Sequence, residues 1–317
     1  MNTAPSMSQL AREYLNHRRQ FGFELQSAAR LLLQFAAFAD QIQHRGPVTT
    51  ELAVRWAKLP EKASASYLAN RLNVVRCFAK YRAIFDPETE IPPVKLLGAA
   101  LRRTTPYIFT PTEIQALLHA ARRLPPADGL RPHTYTTLFA LLACTGLRHR
   151  EALRLTRSDV DCEQRLLHIR NTKFRKSRLV PLHPSTVHAL IRYARLRDRN
   201  FPMARCDAFF ISMRGTALGQ STVHAVFVKL RHQLTWAGCP GRRLPRIHDL
   251  RHTFACRSLL RWYAEGIDVD HAIAALSTYL GHADVNDTYW YLTGVPELLE
   301  LAGTRFEKLA SPQSGDA

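Results

Sequence analysis

Four separated blocks of the sequence carry side chains that could bind a phosphate group and attack it. The blocks are TGLRHRE at 145–151, NTKFRKSR at 171–178, HDLRH at 248–252 and LGHADVNDTYWY at 280–291. Guanidinium groups hold the charge of phosphate oxygens well, and histidine and lysine side chains can transfer protons. A tyrosine hydroxyl can act as a nucleophile once a neighbouring group takes its proton.

Each block taken alone also has a simpler interpretation. Arg148 and Glu151 could form a surface ion pair, because residues three apart on a helix are neighbours. Lys173 could lie in a solvated basic loop, and His282 could cap the end of a helix. The four-residue spacing of HDLRH matches a zinc-binding pair, but no third ligand accompanies it, so we expect no metal site.

The composition favours a nucleic-acid partner. The 317 residues include 44 Lys and Arg against 26 Asp and Glu, so the formal net charge is +18, and double-stranded DNA is the expected partner. No apolar run approaches the length of a membrane span, and the polar N-terminus differs from a secretory signal. We therefore expect a cytoplasmic protein with no membrane partner. The six cysteines include no close pair, which argues against a zinc knuckle or a disulfide framework.

The first third of the chain has the pattern of a helical domain. Apolar residues recur at intervals of three and four, as in LLLQFAAF at 31–38. A segment with several prolines then interrupts the periodicity, which is typical of an exposed connector. We predict a helical domain at 1–90, a linker at 91–106 and a second domain at 107–317.

The second domain combines helices with a short β segment. Thr110, Pro111 and Glu113 have the pattern of a capping box at a helix start. Residues 160–182 contain two β-rich runs around a polar loop and predict a hairpin. Helical patterns return at 184–199, 220–236, 246–264, 268–280 and 284–292. The predicted fold is mainly α with a small β-hairpin or sheet, an α+β domain preceded by a helical one.

In their order along the chain, these blocks resemble the tyrosine recombinase family, the phage-integrase-like enzymes that exchange DNA strands. The similarity is carried by TGLRHREAL, NTKFRKSRLVPL, HDLRHTFA and YLGHADVNDTYWYL, and it covers about residues 110–295. It implies that the second domain is a catalytic domain. The first domain resembles the family's helical core-binding domain in length and helicity, and two basic domains could close on a duplex as a clamp.

The resemblance implies site residues position by position. Those with catalytic roles are Arg148, Lys173, His248, Arg251, His282 and Tyr291, with Glu151 and His252 in supporting roles. In the family the nucleophilic tyrosine usually falls nine residues after the histidine of the Leu-Gly-His block, which selects Tyr291 over Tyr289. Further basic residues are expected to contact the DNA backbone: Arg102, Arg103, Arg170, Arg175, Lys176, Arg178, Arg242 and Arg243.

The implied reaction is site-specific recombination of DNA through a 3′-phosphotyrosyl intermediate. The Tyr291 hydroxyl would attack a phosphodiester, Arg148 and Arg251 would stabilise the charge of the transition state, and Lys173 would protonate the leaving oxygen. His248 would assist proton transfer from the tyrosine, His282 would donate to a non-bridging oxygen, and Glu151 would orient Arg148 or a histidine. Neither ATP nor a metal is expected, because the new ester keeps the energy of the broken bond and cationic side chains hold the charge.

The family also implies an assembly on DNA. Four protomers join two duplexes, so we expect a homotetramer that serves a mobile element, with accessory DNA-bending proteins or a partner recombinase as further candidates. The segment at 296–309 could dock on a neighbouring protomer or pack on its own domain. Two rival functions remain open: a type IB topoisomerase, and a DNA-binding regulator that has lost the reaction.

Overall fold

The computed structural model describes residues 5–23, 25–99, 105–170, 177–203, 205–236, 243–282 and 284–294, and it describes 292–294 by backbone only. The chain divides into two compact units, Met1–Thr104 and Thr105–Ala317. This division falls inside the segment that the sequence assigns to the linker. The roles of the two units as core-binding and catalytic domains stay predictions.

The first unit is built from helices whose apolar stripes face one core. Phe35, Trp56 and Phe78 are at most 2 % exposed and lie at the centre of that core. Side-chain oxygens of Ser6, Thr49 and Ser64 accept hydrogen bonds from the first turns of the helices that follow them. The helices are α1 (Met7–Gln20), α2 (Gln26–Gln41), α3 (Thr50–Lys58) and α4 (Ala65–Arg82).

The second unit places a small antiparallel sheet among helices. Its helices are α5 (Pro111–Arg122), α6 (Leu130–Thr145), α7 (His149–Arg154), α8 (Pro184–Asn200), α9 (Gln220–Gln233), α10 (Asp249–Ala264), α11 (Val269–Leu280) and α12 (Asn286–Gly294). A short 3-10 helix, Arg157–Asp159, leads into the strands β1 (Val160–Asp161), β2 (Leu166–Ile169) and β3 (Arg178–Pro181).

Local sequence signals account for the start of this unit. Thr110 accepts from the main-chain N–H of Glu113, whose side chain accepts from the main-chain N–H of Thr110, and Pro111 is the first helical residue, so the predicted capping box is confirmed. Strands β2 and β3 pair antiparallel with Leu167 opposite Val180, as the hairpin prediction requires. The short strand β1, which the sequence did not separate, pairs with β2.

Five elements of the second unit surround the candidate site. Helix α10 contacts α6, α11 and α12, and β3 contacts α11. Two residues of α6, Leu138 and Phe139, are fully buried in the larger core, whereas Cys256 and Leu259 of α10 belong to a second cluster shared with α11 and α12. Among the described residues, no helix has both the length and the apolar character that crossing a membrane requires.

Candidate active site

Arg148 lies where α6 ends and α7 begins. Gly146 ends α6 with φ at +62°, and a Cβ at this position would lie 2.5 Å from a ring carbon of Phe254, so only glycine fits the turn. The guanidinium of Arg148 donates to Oε1 of Glu151 at 2.9 Å and to the carbonyl oxygen of Gly281 at 2.8 Å. Its side chain is still 30 % exposed, which leaves donors available to a ligand.

Glu151 holds a second guanidinium, that of Arg178 on β3. Nη1 and Nη2 of Arg178 donate to the two carboxylate oxygens at 3.1 and 2.8 Å, and Nε donates to the carbonyl oxygen of Tyr279 at 2.7 Å. Burial raises the pKa of Glu151, but the hydrogen bonds and charges of Arg178 and Arg148 outweigh it and hold that pKa below its ordinary value. Glu151 is therefore an ionised link between two arginines.

Arg251 is the most deeply buried cation of the site. It is 2 % exposed, and it donates to the carbonyl oxygens of Gly146 at 2.9 Å and Leu280 at 2.8 Å, so it joins the ends of α6 and α11. Burial and the nearby charge of Arg148 lower its pKa to about 10, which still leaves it protonated at neutral pH. A guanidinium has five N–H donors, so these two bonds to carbonyl oxygens do not use all of them.

The turn after α11 presents His282. Gly281 ends the helix with φ at +68°, and a Cβ there would lie 2.8 Å from Nη1 of Arg178. Nδ1 of His282 lies 2.6 Å from Oγ1 of Thr288, a hydrogen bond that orients the ring. Burial and the charge of Arg251 lower the pKa of His282 to about 4, so the ring is neutral at pH 7 in the absence of an anion.

Tyr291 on α12 points into this group of residues. Its side chain is buried, at 2 % exposure, whereas Tyr289 is 39 % exposed. The Tyr291 hydroxyl lies 3.2 Å from Nδ1 of His252, and its ring stacks near His282 with centroids 6.3 Å apart. Burial raises the pKa of Tyr291 to about 12, although the charge and hydrogen bonding of Arg251 oppose that shift. Attack by this hydroxyl therefore requires a group that accepts its proton.

His248 and His252 lie side by side at the start of α10. Their ring centroids are 4.7 Å apart and the rings meet edge to face. Burial and the charge of Arg251 lower the pKa of His248 to about 4, and burial together with His248 lowers the pKa of His252 to about 3. Both rings are neutral at pH 7, and a bound phosphate would favour their protonated forms.

The site as a whole carries an excess of positive charge. Arg148, Arg178 and Arg251 lie around one carboxylate, that of Glu151, and the neighbouring imidazoles are neutral. A phosphate group bound at this site would accept hydrogen bonds from N–H donors that are already in position. Such an arrangement stabilises the charge that develops on phosphate oxygens.

Comparison with known proteins identifies the family. The model of the phage integrase family matches residues 108–295, which is more than half of the chain and contains every element of the site. The chain belongs to the phage integrase family. One similar protein is the integrase/recombinase y4rB of Sinorhizobium fredii. It is 44 % identical to this chain over 306 residues, which cover 95 % of this chain and 96 % of y4rB. The predicted identification as a tyrosine recombinase is confirmed.

Solved structures share the fold of this integrase-family protein. The Tn1549 transposon integrase in complex with transposon right end DNA has a TM-score of 0.68 at 18 % identity, covering 97 % of this chain and 100 % of that one. A lambda integrase tetramer bound to a Holliday junction has a TM-score of 0.60 at 16 % identity, covering 92 % and 78 %. The predicted fold class, mainly α with a small sheet, is confirmed.

Several predicted site residues of this integrase-family protein lie outside the described residues. They are the catalytic candidate Lys173 and the DNA-contact candidates Arg102, Arg103, Arg175, Lys176 and Arg242, and the same holds for the segment 296–309. Of the remaining candidates, Arg170 is 60 % exposed and forms an ion pair with Asp159 at 2.7 Å, and Arg243 is partly exposed. Seven of the eight catalytic and supporting candidates, all except Lys173, thus lie in one place with their contacts described.

Arg178 differs from the expectation. We predicted a phosphate contact, but its guanidinium bonds to Glu151 and Tyr279, and its side chain is 12 % exposed. The alternation of strand β3 contains the signal that could have found this, because Arg178 shares a face with the buried Val180 two residues on. Asp249 and Thr288 were missed as well, and nothing in the spacing of the sequence marks them.

Histidines 248 and 252 also had the spacing of a metal pair. Among the described ranges, no group of three or more His, Cys, Asp or Glu side chains is arranged to hold a metal ion. In the structure the two rings meet each other and, through His252, the Tyr291 hydroxyl.

Proposed function

We propose that this protein recombines DNA at specific sites by forming a 3′-phosphotyrosyl intermediate through Tyr291. The hydroxyl oxygen attacks a backbone phosphorus, the bond to the 5′ oxygen breaks, and the released strand ends in a 5′-hydroxyl. The reverse reaction with a different 5′-hydroxyl joins the strand to a new partner, and no external energy source is required because the ester bond is conserved.

One observation carries this proposal: a single buried tyrosine hydroxyl lies among cationic and histidine side chains that come from distant parts of the chain. Arg251 and His252 come from α10, and His282 from the turn after α11. A tyrosine kept only for packing has no need of two carbonyl-anchored guanidiniums beside its hydroxyl. In this proposal Arg148, Arg251 and His282 donate to the non-bridging oxygens of the phosphorane.

Lys173 completes the proposed mechanism as the general acid. The leaving 5′ oxygen develops negative charge and takes a proton from the lysine, as the family resemblance implies. Strands β2 and β3, which flank the segment containing Lys173, are tied to the site through Arg178 and Glu151. This tie supports the assignment, because it brings the base of the hairpin next to Arg148.

The proposed partners are two DNA duplexes held by four protomers. The similarity of fold to a lambda integrase tetramer on a Holliday junction and to a transposon integrase on transposon DNA supports both the assembly and a role in a mobile element. The formal net charge of +18 supports DNA as the ligand. A cytoplasmic location and accessory DNA-bending proteins stay predictions.

Covalent trapping on a nicked suicide duplex tests the proposal. Tyr291→Phe should abolish the protein–DNA adduct, and the matched variant Tyr289→Phe should form it at the wild-type rate, because Tyr289 is the more exposed residue and lies two positions away. Mapping of the modified peptide locates the ester. An adduct on Tyr289, or none at all with the wild-type protein, would refute the assignment.

A two-site exchange assay beside a supercoil-relaxation assay separates recombination from topoisomerase activity. The proposal requires exchange of flanking sequences between two duplexes. Relaxation without exchange would favour the type IB topoisomerase, and DNA binding without any adduct would favour a regulator.

Arginine variants need care in these assays. Arg251→Ala would leave the carbonyl oxygens of Gly146 and Leu280 without their buried donor, at a cost on the order of 1–3 kcal/mol each. Arg148→Lys and Arg251→Lys are therefore the better variants. Both should keep most of the DNA affinity and lose about 100-fold or more in cleavage rate, because the planar fork of donors acts on the transition state.

A further inference from the structure

The residue in contact with the proposed nucleophile is His252. Its Nδ1 lies 3.2 Å from the Tyr291 hydroxyl, its ring is 5.5 Å from the Tyr291 ring between centroids, and its side chain is 12 % exposed. Trp290 also packs against the imidazole of His252, with ring centroids 5.6 Å apart. These contacts hold the ring in one orientation with a nitrogen facing the hydroxyl.

The opposite nitrogen of His252 faces a buried carboxylate. Nε2 lies 4.0 Å from Oδ1 of Asp249, a residue with 0 % exposure. Oδ2 of Asp249 accepts from the main-chain N–H of Arg246 at 2.6 Å, whereas Oδ1 is buried without a hydrogen bond in the described structure and lies 3.5 Å from Nη2 of Arg246. A buried carboxylate oxygen left without a hydrogen bond is costly, and such groups are concentrated where proteins do chemistry.

We propose that His252 is the general base that takes the proton of Tyr291, and that Asp249 is the positioning residue that orients His252 for this step. The proposal rests on the function proposed above. Which nitrogen of an imidazole carries the proton is set by the partner of the other nitrogen, so Asp249 favours the form with the proton on Nε2. Nδ1 then presents its lone pair to the hydroxyl, as in a Ser-His-Asp triad.

The proton balance of the step is simple. As the Tyr291 oxygen bonds to phosphorus, its proton moves to Nδ1 of His252, and the imidazolium that forms is stabilised by the carboxylate of Asp249. The bond from phosphorus to the 5′ oxygen breaks, and that oxygen takes a proton from the general acid. In the rejoining step His252 returns its proton to the tyrosine oxygen.

His248 has a different position. The ring of His252 meets it edge to face, and the charges that lower its pKa after burial are those of Arg251, His149, Arg246 and Arg148. Among the described contacts, the Tyr291 hydroxyl lies at hydrogen-bond distance from a ring nitrogen of His252, whereas His248 is recorded only against the His252 ring. We therefore assign the tyrosine proton to His252 and leave His248 to contact the DNA phosphate.

The test compares three full-length variants, His252→Gln, Asp249→Asn and the matched control His248→Gln, by the single-turnover rate of adduct formation on a nicked duplex. A general base of this kind contributes about 100-fold or more, so His252→Gln should lose that much. In Asp249→Asn the amide oxygen can still accept the hydrogen bond from the main-chain N–H of Arg246, and the amide NH2 group then faces Nε2 of His252. This arrangement favours the tautomer of His252 with its proton on Nδ1, which cannot accept the tyrosine proton. We expect this variant to lose about 10-fold or more.

A second readout separates a base from a merely structural residue. Each variant is also made with 3,5-difluorotyrosine at position 291, whose more acidic phenol depends less on a base. The deficits of His252→Gln and Asp249→Asn should shrink about tenfold or more, and that of His248→Gln should not. Packing defects do not respond to the acidity of the phenol, so this comparison remains decisive when a variant is less stable.

Three results would overturn the inference. The first is a rate of adduct formation for His252→Gln within about threefold of wild type. The second is a rate deficit of His252→Gln that 3,5-difluorotyrosine leaves unchanged. The third is that 3,5-difluorotyrosine restores the rate of His248→Gln and of neither other variant. In all three, wild-type protein still forms its adduct at Tyr291. Absence of that wild-type adduct refutes the proposed function instead, so the two failures are distinguishable.

Discussion

Replacement of Arg178 by alanine should damage the site without weakening its contact with DNA. The change removes three hydrogen bonds, two to the carboxylate of Glu151 and one to the carbonyl oxygen of Tyr279. Breaking a buried ion pair costs about 3–5 kcal/mol, and Glu151 keeps Arg148 as a partner, so we expect about 3 kcal/mol. For a unit of this size that corresponds to a fall in Tm of about 6 to 12 °C.

The matched control is Arg170→Ala. Arg170 also forms a carboxylate pair, with Asp159 at 2.7 Å, but its side chain is 60 % exposed, against 12 % for Arg178. Asp159 is only 8 % exposed, but it keeps its hydrogen bonds from the main chain and side chain of Thr156, and solvent reaches the Arg170 side of the pair. This variant should therefore lose about 1 kcal/mol and keep a Tm near that of wild type. Thermal unfolding of the two variants beside wild type gives the comparison directly.

DNA binding and cleavage complete the assay. Because Arg178 bonds to protein acceptors, Arg178→Ala should keep the wild-type slope of log affinity against log salt, whereas loss of a phosphate contact would reduce that slope by about 0.9. Its cleavage rate should fall about 10- to 100-fold, because Glu151, which orients Arg148, is no longer fixed by Arg178. The reasoning is refuted if the Tm of Arg178→Ala is no lower than that of Arg170→Ala. It is also refuted if the slope of log affinity against log salt falls by about 0.9 in Arg178→Ala, the value for one lost phosphate contact.

Three further predictions concern the same site. In the folded protein the pKa of His248 is about 4 and that of His252 is about 3, whereas in the unfolded chain both are about 6.5. The unfolded chain therefore binds more protons than the folded protein between about pH 4 and 6.5. The free energy of unfolding should rise with pH over that range and then level off. Urea unfolding should show a loss of about 1.5 kcal/mol per histidine between pH 6.5 and 5, and an unchanged free energy would contradict the burial argument. Gly281→Ala should cost about 1–2 kcal/mol from its φ of +68° and also slow cleavage by displacing Arg178, whereas Gly266→Ala, with φ at +74° and open space around its Cβ, should show the backbone cost alone. Adduct formation should continue in the presence of a chelator, since the charge is held by side chains, and strict dependence on Mg²⁺ would count against that mechanism.

Local features of the fold could be predicted with good accuracy because their causes lie within a few residues. The capping box at Thr110 needs only Glu113 three residues on, and the hairpin needs only two β-rich runs that flank a turn. The choice of Tyr291 over Tyr289 rested on a spacing from His282, and the structure adds that Tyr291 is the buried one of the two. Arg178 shows the limit, because a basic residue in a basic segment predicts solvent or phosphate, and its carboxylate partner is 27 residues away.

From the order of its amino acids alone, this chain could be assigned to a family, to a helical architecture with a small sheet, and to a set of chemically competent side chains. Those properties depend on residue type and on short-range spacing, which the sequence states directly. Folding alone decided that Arg251 bonds to carbonyl oxygens 105 and 29 residues away and that His252 lies against a hydroxyl 39 residues later. Such contacts depend on how helices α6, α10, α11 and α12 pack, and packing is a property of the whole core.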